Sequence, residues 1–108
     1  MSQFKNQLKV VASITEKSAL RYTPAGIPIA TAVLMHSSQQ AQAGTQRQVE
    51  FEVSAIAAGD ISKRFLEIEL GTVLLFTGFI ARKNRNSKSL VFHVTDFQIN
   101  EDETPLLD

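Results

Sequence analysis

With 108 residues, 44% of them hydrophobic and 20% charged, the chain is the size of one domain, and none of its apolar runs approaches the roughly 20 residues that cross a bilayer as a helix. It has no cysteine, which excludes disulfide staples, thiolate metal sites and cysteine nucleophiles together. Eleven Lys and Arg balance eleven Asp and Glu, a zero net charge that argues against a uniformly basic nucleic-acid protein and leaves the distribution of charge as the informative quantity.

The opening residues mix Gln, Asn and Lys with isolated apolar residues. They lack the basic segment and apolar stretch of a secretory signal, so a cytoplasmic protein is expected. The first periodic segment sets Leu8, Val10, Ala12 and Ile14 on one face against Lys9, Ser13 and Thr15 on the other, the period of two that a half-buried strand requires. Residues 16–26 then read as a loop, with Pro24 followed by Gly26 marking a turn. From Ile27 to His36 the chain is apolar and β-branched on both sides, a second strand with both faces covered. Residues 37–46 are polar and without an apolar period, which reads as a mobile loop.

A third strand follows, in which Val49, Phe51, Val53 and Ala55 alternate with Gln48, Glu50, Glu52 and Ser54. Phe51 belongs to the apolar row and is expected in the core. Asp60 is placed to cap a short helix reaching Leu70, with Ile61, Phe65 and Ile68 at helical spacing and Gly71 as its stop. Residues 72–82 form an apolar fourth strand that Gly78 interrupts, a common sign of a bulge in a closed barrel. Residues 83–88 supply turn formers, and residues 90–99 return as a fifth strand. Residues 101–108 are acidic, contain Pro105 and have little to bury. They read as a disordered tail appended to one domain over residues 1–100.

Three strands, a helix and two more strands is the order of an all-β, five-stranded OB-fold barrel with one short helix between strands three and four. Other small five-stranded barrels share the pattern. An OB barrel binds oligonucleotides across its second and third strands and over its first-to-second and fourth-to-fifth loops. Single strands need cations for phosphates and planar groups for bases. Arg82, Lys83, Arg85 and Lys88 cluster on the expected fourth-to-fifth hairpin, inside a stretch from Thr72 to Thr95 without any acidic residue. Arg21, Tyr22 and Lys17 lie on the first-to-second connection, where Tyr22 has two readings: a base-stacking ring, or a ring packed on the barrel end. Arg47 begins the third strand on the parity of Phe51 and is expected to reach the same groove.

His36 and His93 stand on separate strands without carboxylates or other histidines at ligand spacing, and read as satisfied strand histidines. Glu50 and Glu52 share a face but have no nucleophile or base beside them. No phosphate-binding loop, dinucleotide fingerprint or nucleophile elbow occurs. No metal, cofactor or enzymatic activity is expected.

The run Arg21-Tyr22-Thr23-Pro24-Ala25-Gly26-Ile27-Pro28 is less generic. It resembles the first-to-second loop of the PriB family, primosomal replication proteins related to bacterial single-stranded DNA-binding proteins. Residues 44–48, the Gly78-Phe79-Ile80 step, the basic hairpin and Leu90 to His93 follow in the order of that family. The resemblance implies an OB barrel, a homodimer, and a role at stalled forks in which the protein contacts single-stranded DNA and the PriA helicase. It extends to other primosome proteins, with DnaT a candidate among them. By position, Lys83, Arg85 and Lys88 look like the family's main DNA-contacting lysines. The hairpin is about two residues shorter than in better-known members, and Thr45 and Glu50 stand where those carry aromatics. A stacked base is worth about 1–3 kcal/mol, so the resemblance implies weaker, more charge-dependent binding, with Tyr22 as partial compensation.

Two other readings stand beside it: a general strand-coating protein, disfavoured by the short tail, and an OB-fold adaptor that binds mainly protein. A homodimer is expected on physical grounds as well, since apolar side chains such as Val11 and Val33 fall on the face opposite the core and sheet edges stay unpaired.

Overall fold

A computed structural model describes residues 4–100. The strand alternation foreseen at the start of the chain is present: β1 spans Leu8–Lys17 and buries Val10, Ala12 and Ile14 on one side. The loop after it contains a two-residue strand, β2 (Arg21–Tyr22), which pairs with the start of β3 (Pro28–Gln42). Then come β4 (Thr45–Ala58), α1 (Ile61–Leu66), β5 (Val73–Arg82) and β6 (Leu90–Gln98).

The five long strands close into a barrel in the order β1-β5-β6-β4-β3, with β3 returning to β1. Four of the five contacts are antiparallel ladders. The fifth, β4 against β6, is parallel and holds only two pairs, Ala55 with Phe92 and Ile56 with His93. This is the OB-fold barrel expected from the strand order, with β2 as an addition on its first long loop.

Alternation fills the barrel. Ala30, Ala32 and Leu34 of β3 point inward, as do Ala55 and Ala57 of β4 and Phe92 and Val94 of β6. Small alanines on β3 and β4 leave room for three wholly buried rings, Phe65, Phe76 and Phe92. Phe65 enters from α1 and meets Phe76 edge-on at 6.1 Å, so the helix plugs one end of the barrel. Arg64, next to it, lies 5.5 Å above the Phe97 ring, a cation–π contact.

Three sequence expectations need correction. Residues 37–46 are not a loop: β3 and β4 continue in register through Gln42 opposite Thr45, and the chain reverses over Ala43 and Gly44 alone. Both turn residues have positive φ, 53° and 81°, the backbone of a tight primed hairpin turn. The ladder bonds the backbone at alternate pairs and leaves the outward groups to water, so polarity here marks two solvated faces rather than irregular chain. Phe51 lies on this arm, beyond the barrel. It is 41% exposed and stacks on His36 at 4.9 Å, because the inward row enters the barrel only from Val53 onward.

The helix, too, is shorter than its apolar spacing implies. Asp60 already has helical φ and ψ and makes no side-chain cap. Instead, the Ser62 hydroxyl donates to the Gly59 carbonyl at 2.7 Å. At the other end the Lys17 ammonium donates to the carbonyls of Leu66 and Ile68, each at 2.7 Å, and the Gly71 N–H donates to Ile14. These bonds draw the chain out of the helix four residues before Leu70, although Ile68 is still buried. The acidic tail read over residues 101–108 lies outside the described residues.

Candidate functional site

Side chains that point out of the barrel at β3, β4 and β6 form the floor of a groove of about 460 Å³. Its floor is uncharged. Thr31 and Val33 come from β3, Ser54 and Ile56 from β4, and Val91 and His93 from β6. The period of two explains the set: each residue alternates with an inward neighbour, as Ile56 does with Ala55 and Ala57.

Two segments border this floor. From the end of β1, the turn after it and β2 come Glu16, Lys17, Ser18 and Arg21; from the loop joining β5 and β6 come Lys83 and Asn84. Cations therefore stand on both sides of an uncharged floor, with the Glu16 carboxylate on the border that holds Lys17 and Arg21. The β5–β6 loop is held by its own bonds. Lys83 N–H donates to Ser89 O at 2.9 Å, Asn84 Oδ1 accepts from Asn86 N–H at 2.9 Å, and Ser87 Oγ accepts from Ser89 N–H at 3.0 Å. Asn84 and Ser87 fix the backbone, and Arg82, Lys83, Arg85 and Lys88 are left exposed around it.

Of the eight residues singled out by sequence, Lys17, Arg21 and Lys83 line the groove directly. Arg82, Arg85 and Lys88 surround its loop wall. Lys17 is already engaged, since its ammonium caps the end of α1. Tyr22 neighbours Arg21 on β2 and so points to the opposite side; it is 56% exposed, its ring open to solvent rather than packed on the barrel end. Arg47 is not brought to the groove. It sits on the arm, donates to Gln42 Oε1 at 2.8 Å, and is separated from Ser54 by about 23 Å of extended strand.

His93 was not legible as a site residue, yet it lines the groove and lies flat against Phe79 of β5, ring centroids 4.8 Å apart and planes within 3°. Its signal was parity. Once Phe92 and Val94 are inward, Val91 and His93 must face out. His36 behaves as the strand histidine expected of it, bonded through Nδ1 to the Val11 carbonyl and through Nε2 to the Ser38 hydroxyl, both at 2.7 Å. Among the described residues no cluster of His, Cys, Asp or Glu could hold a metal ion.

A family profile described as "Another single-strand binding protein family" matches residues 6–96. The replication restart protein PriB of Nitrosomonas europaea is 45% identical over 95 residues, 88% of each chain. That of Bordetella pertussis is 36% identical over 89 residues, 82% of this chain and 83% of the relative. A crystal structure of PriB from Ralstonia solanacearum superposes with a TM-score of 0.82 at 43% identity, covering 89% of this chain and 98% of that one. The SSB domain of a Synechococcus protein shares the fold, with a TM-score of 0.66 at 17% identity over 90% of this chain.

Proposed function

The chain belongs to the PriB family of replication restart proteins, a non-catalytic one, and from that premise we propose that it binds single-stranded DNA in the groove over β3, β4 and β6 and helps the PriA helicase at stalled forks. The observation that carries this reading is the uncharged floor flanked on both sides by cations from two separate segments. Phosphates bind the cationic rims while bases rest on the uncharged floor, the division of labour that sequence-tolerant strand binding uses. Arg21 and the loop cations Arg82, Lys83, Arg85 and Lys88 supply the phosphate contacts. Contact with PriA, and with further primosome proteins such as DnaT, belongs to the same proposal. So does a homodimer, which a sedimentation experiment at tens of micromolar protein tests; a monomer at that concentration removes it.

Salt dependence of oligonucleotide binding tests the DNA reading. If about four of these five cations each displace a counterion, the logarithm of affinity falls against log salt with a slope of about −3, from roughly −0.7 per neutralised phosphate. Replacing Lys83, Arg85 and Lys88 by Ala removes about two of those three units of slope and weakens binding by similar factors for every base sequence. A folded triple mutant with unchanged DNA affinity sinks the site, and favours the reading as a protein-binding adaptor.

A further inference from the structure

Phe79 is an apolar ring that the fold leaves on the outside. It is 38% exposed and lies parallel to His93. The pair is not incidental to the groove. Across the outer face, Thr31 is the register partner of Ile56, Ile56 of His93, and His93 of Phe79. These four residues form one transverse row over β3, β4, β6 and β5, about 14 Å long at the usual spacing between strands. The row starts on the groove floor and ends at Phe79.

Its alignment has a cause in the backbone. The β5–β6 ladder shifts register between Thr77 and Gly78, and at Gly78 the strands approach so closely that a Cβ would lie 1.8 Å from the His93 carbonyl oxygen. The extra residue is Thr95 of β6: Thr77 pairs with Asp96 and Gly78 with Val94. Past this bulge Phe79 stands opposite His93 and comes to rest flat on it. One face of the His93 ring is covered by Phe79, and His93 lines the groove beside its register partner Ile56.

We propose that the Phe79–His93 stack is a nucleobase-binding subsite, a two-ring platform on which a base of the bound strand continues the stack. The proposal rests on the single-strand reading above and adds to it the aromatic component that the loop cations lack. Planar groups attract bases of any identity, since every base has a π-face, so the subsite contributes affinity without sequence preference.

The test compares two labelled strands of equal length and charge, oligo(dT) and a strand of abasic sites, against wild type, Phe79→Leu and Phe79→Tyr. Wild type and Phe79→Tyr should bind oligo(dT) more tightly than the abasic strand. Phe79→Leu should lose about five-fold or more of its oligo(dT) affinity, the lower end of what one stacked base is worth, while its abasic affinity and salt slope stay at the wild-type values. Those retained values also show that the variant is folded. A strand carrying 2-aminopurine should be quenched by wild type and Phe79→Tyr and recover fluorescence with Phe79→Leu. Equal oligo(dT) binding by Phe79→Leu and wild type overturns the subsite alone. Failure of the wild type to bind either strand overturns the subsite and the single-strand reading together.

Discussion

Gly78 is the residue on which the outer face of the barrel depends most narrowly. A side chain there would meet the carbonyl oxygen of His93 at 1.8 Å and the Phe92 ring at 2.9 Å. The first of these is backbone and cannot swing away. Relief requires opening the β5–β6 ladder or displacing a wholly buried ring, so Gly78→Ala should cost about 3 kcal/mol, the upper range of overpacking penalties. Urea unfolding measures this, and a loss under about 1 kcal/mol would show that the ladder adapts. The sequence made Gly78 legible as an interruption of an apolar row, which was right. Phe51 was misjudged for a related reason: parity says which side of a strand a residue faces but not where along the strand the barrel stops covering it. Arg47 shared that error, having been assigned to the groove on the parity of Phe51.

At the scale of elements, α1 illustrates how a short helix survives in water. Six residues lie below the length at which an isolated helix is stable. Burial of Ile61 and Phe65 in the barrel end holds it, and the Lys17 ammonium satisfies the Leu66 carbonyl that its last turn leaves open and the Ile68 carbonyl just beyond. Lys17→Met keeps most of the apolar stem and removes the charged donor. It should lower stability by about 1 kcal/mol, whereas Lys83→Ala, on an exposed loop, should change it by less than about 0.5 kcal/mol. Thermal or denaturant midpoints of the two variants check the contrast; equal losses would mean that Lys17 is no more structural than the loop cations. Nothing in the local sequence points to this role, because Lys17 and Leu66 meet only after the barrel closes. The hairpin arm was hidden for a different reason. Strands are recognised by one buried face, and from Ser37 to Gln48 every side chain but Ser38 is exposed. Cross-strand contacts such as Gln48 to Ser37 at 3.1 Å leave no apolar period behind.

For the molecule as a whole, the arm sets the dimensions: the radius of gyration is 15.4 Å and the longest extent 50 Å, against a radius of about 13 Å for a compact domain of this length. Strand order, the intervening helix and the basic loop were legible because each has its own local signature. The groove was legible only in outline, since its floor is assembled from three strands distant in sequence. One property of that floor reaches further. The parallel junction of β4 and β6 has two register pairs, Ala55 with Phe92 and Ile56 with His93, and Ile56 and His93 both lie under the groove. Here the cylinder is fastened most lightly, and here it should breathe first. A strand lying across the groove as proposed would span that fastening and act as a clasp, stabilising the closed form by about 2.7 kcal/mol when present at a hundred times its dissociation constant. Amide exchange at Ala55–Ala57 and Phe92–Val94 should therefore slow on adding oligonucleotide, while the arm amides stay unchanged; uniform slowing, or none, would show that the ligand does not bridge the junction. The same opening that makes the barrel locally weak would then serve as a reporter of occupancy, read at the two strands that meet there and without any change of fold.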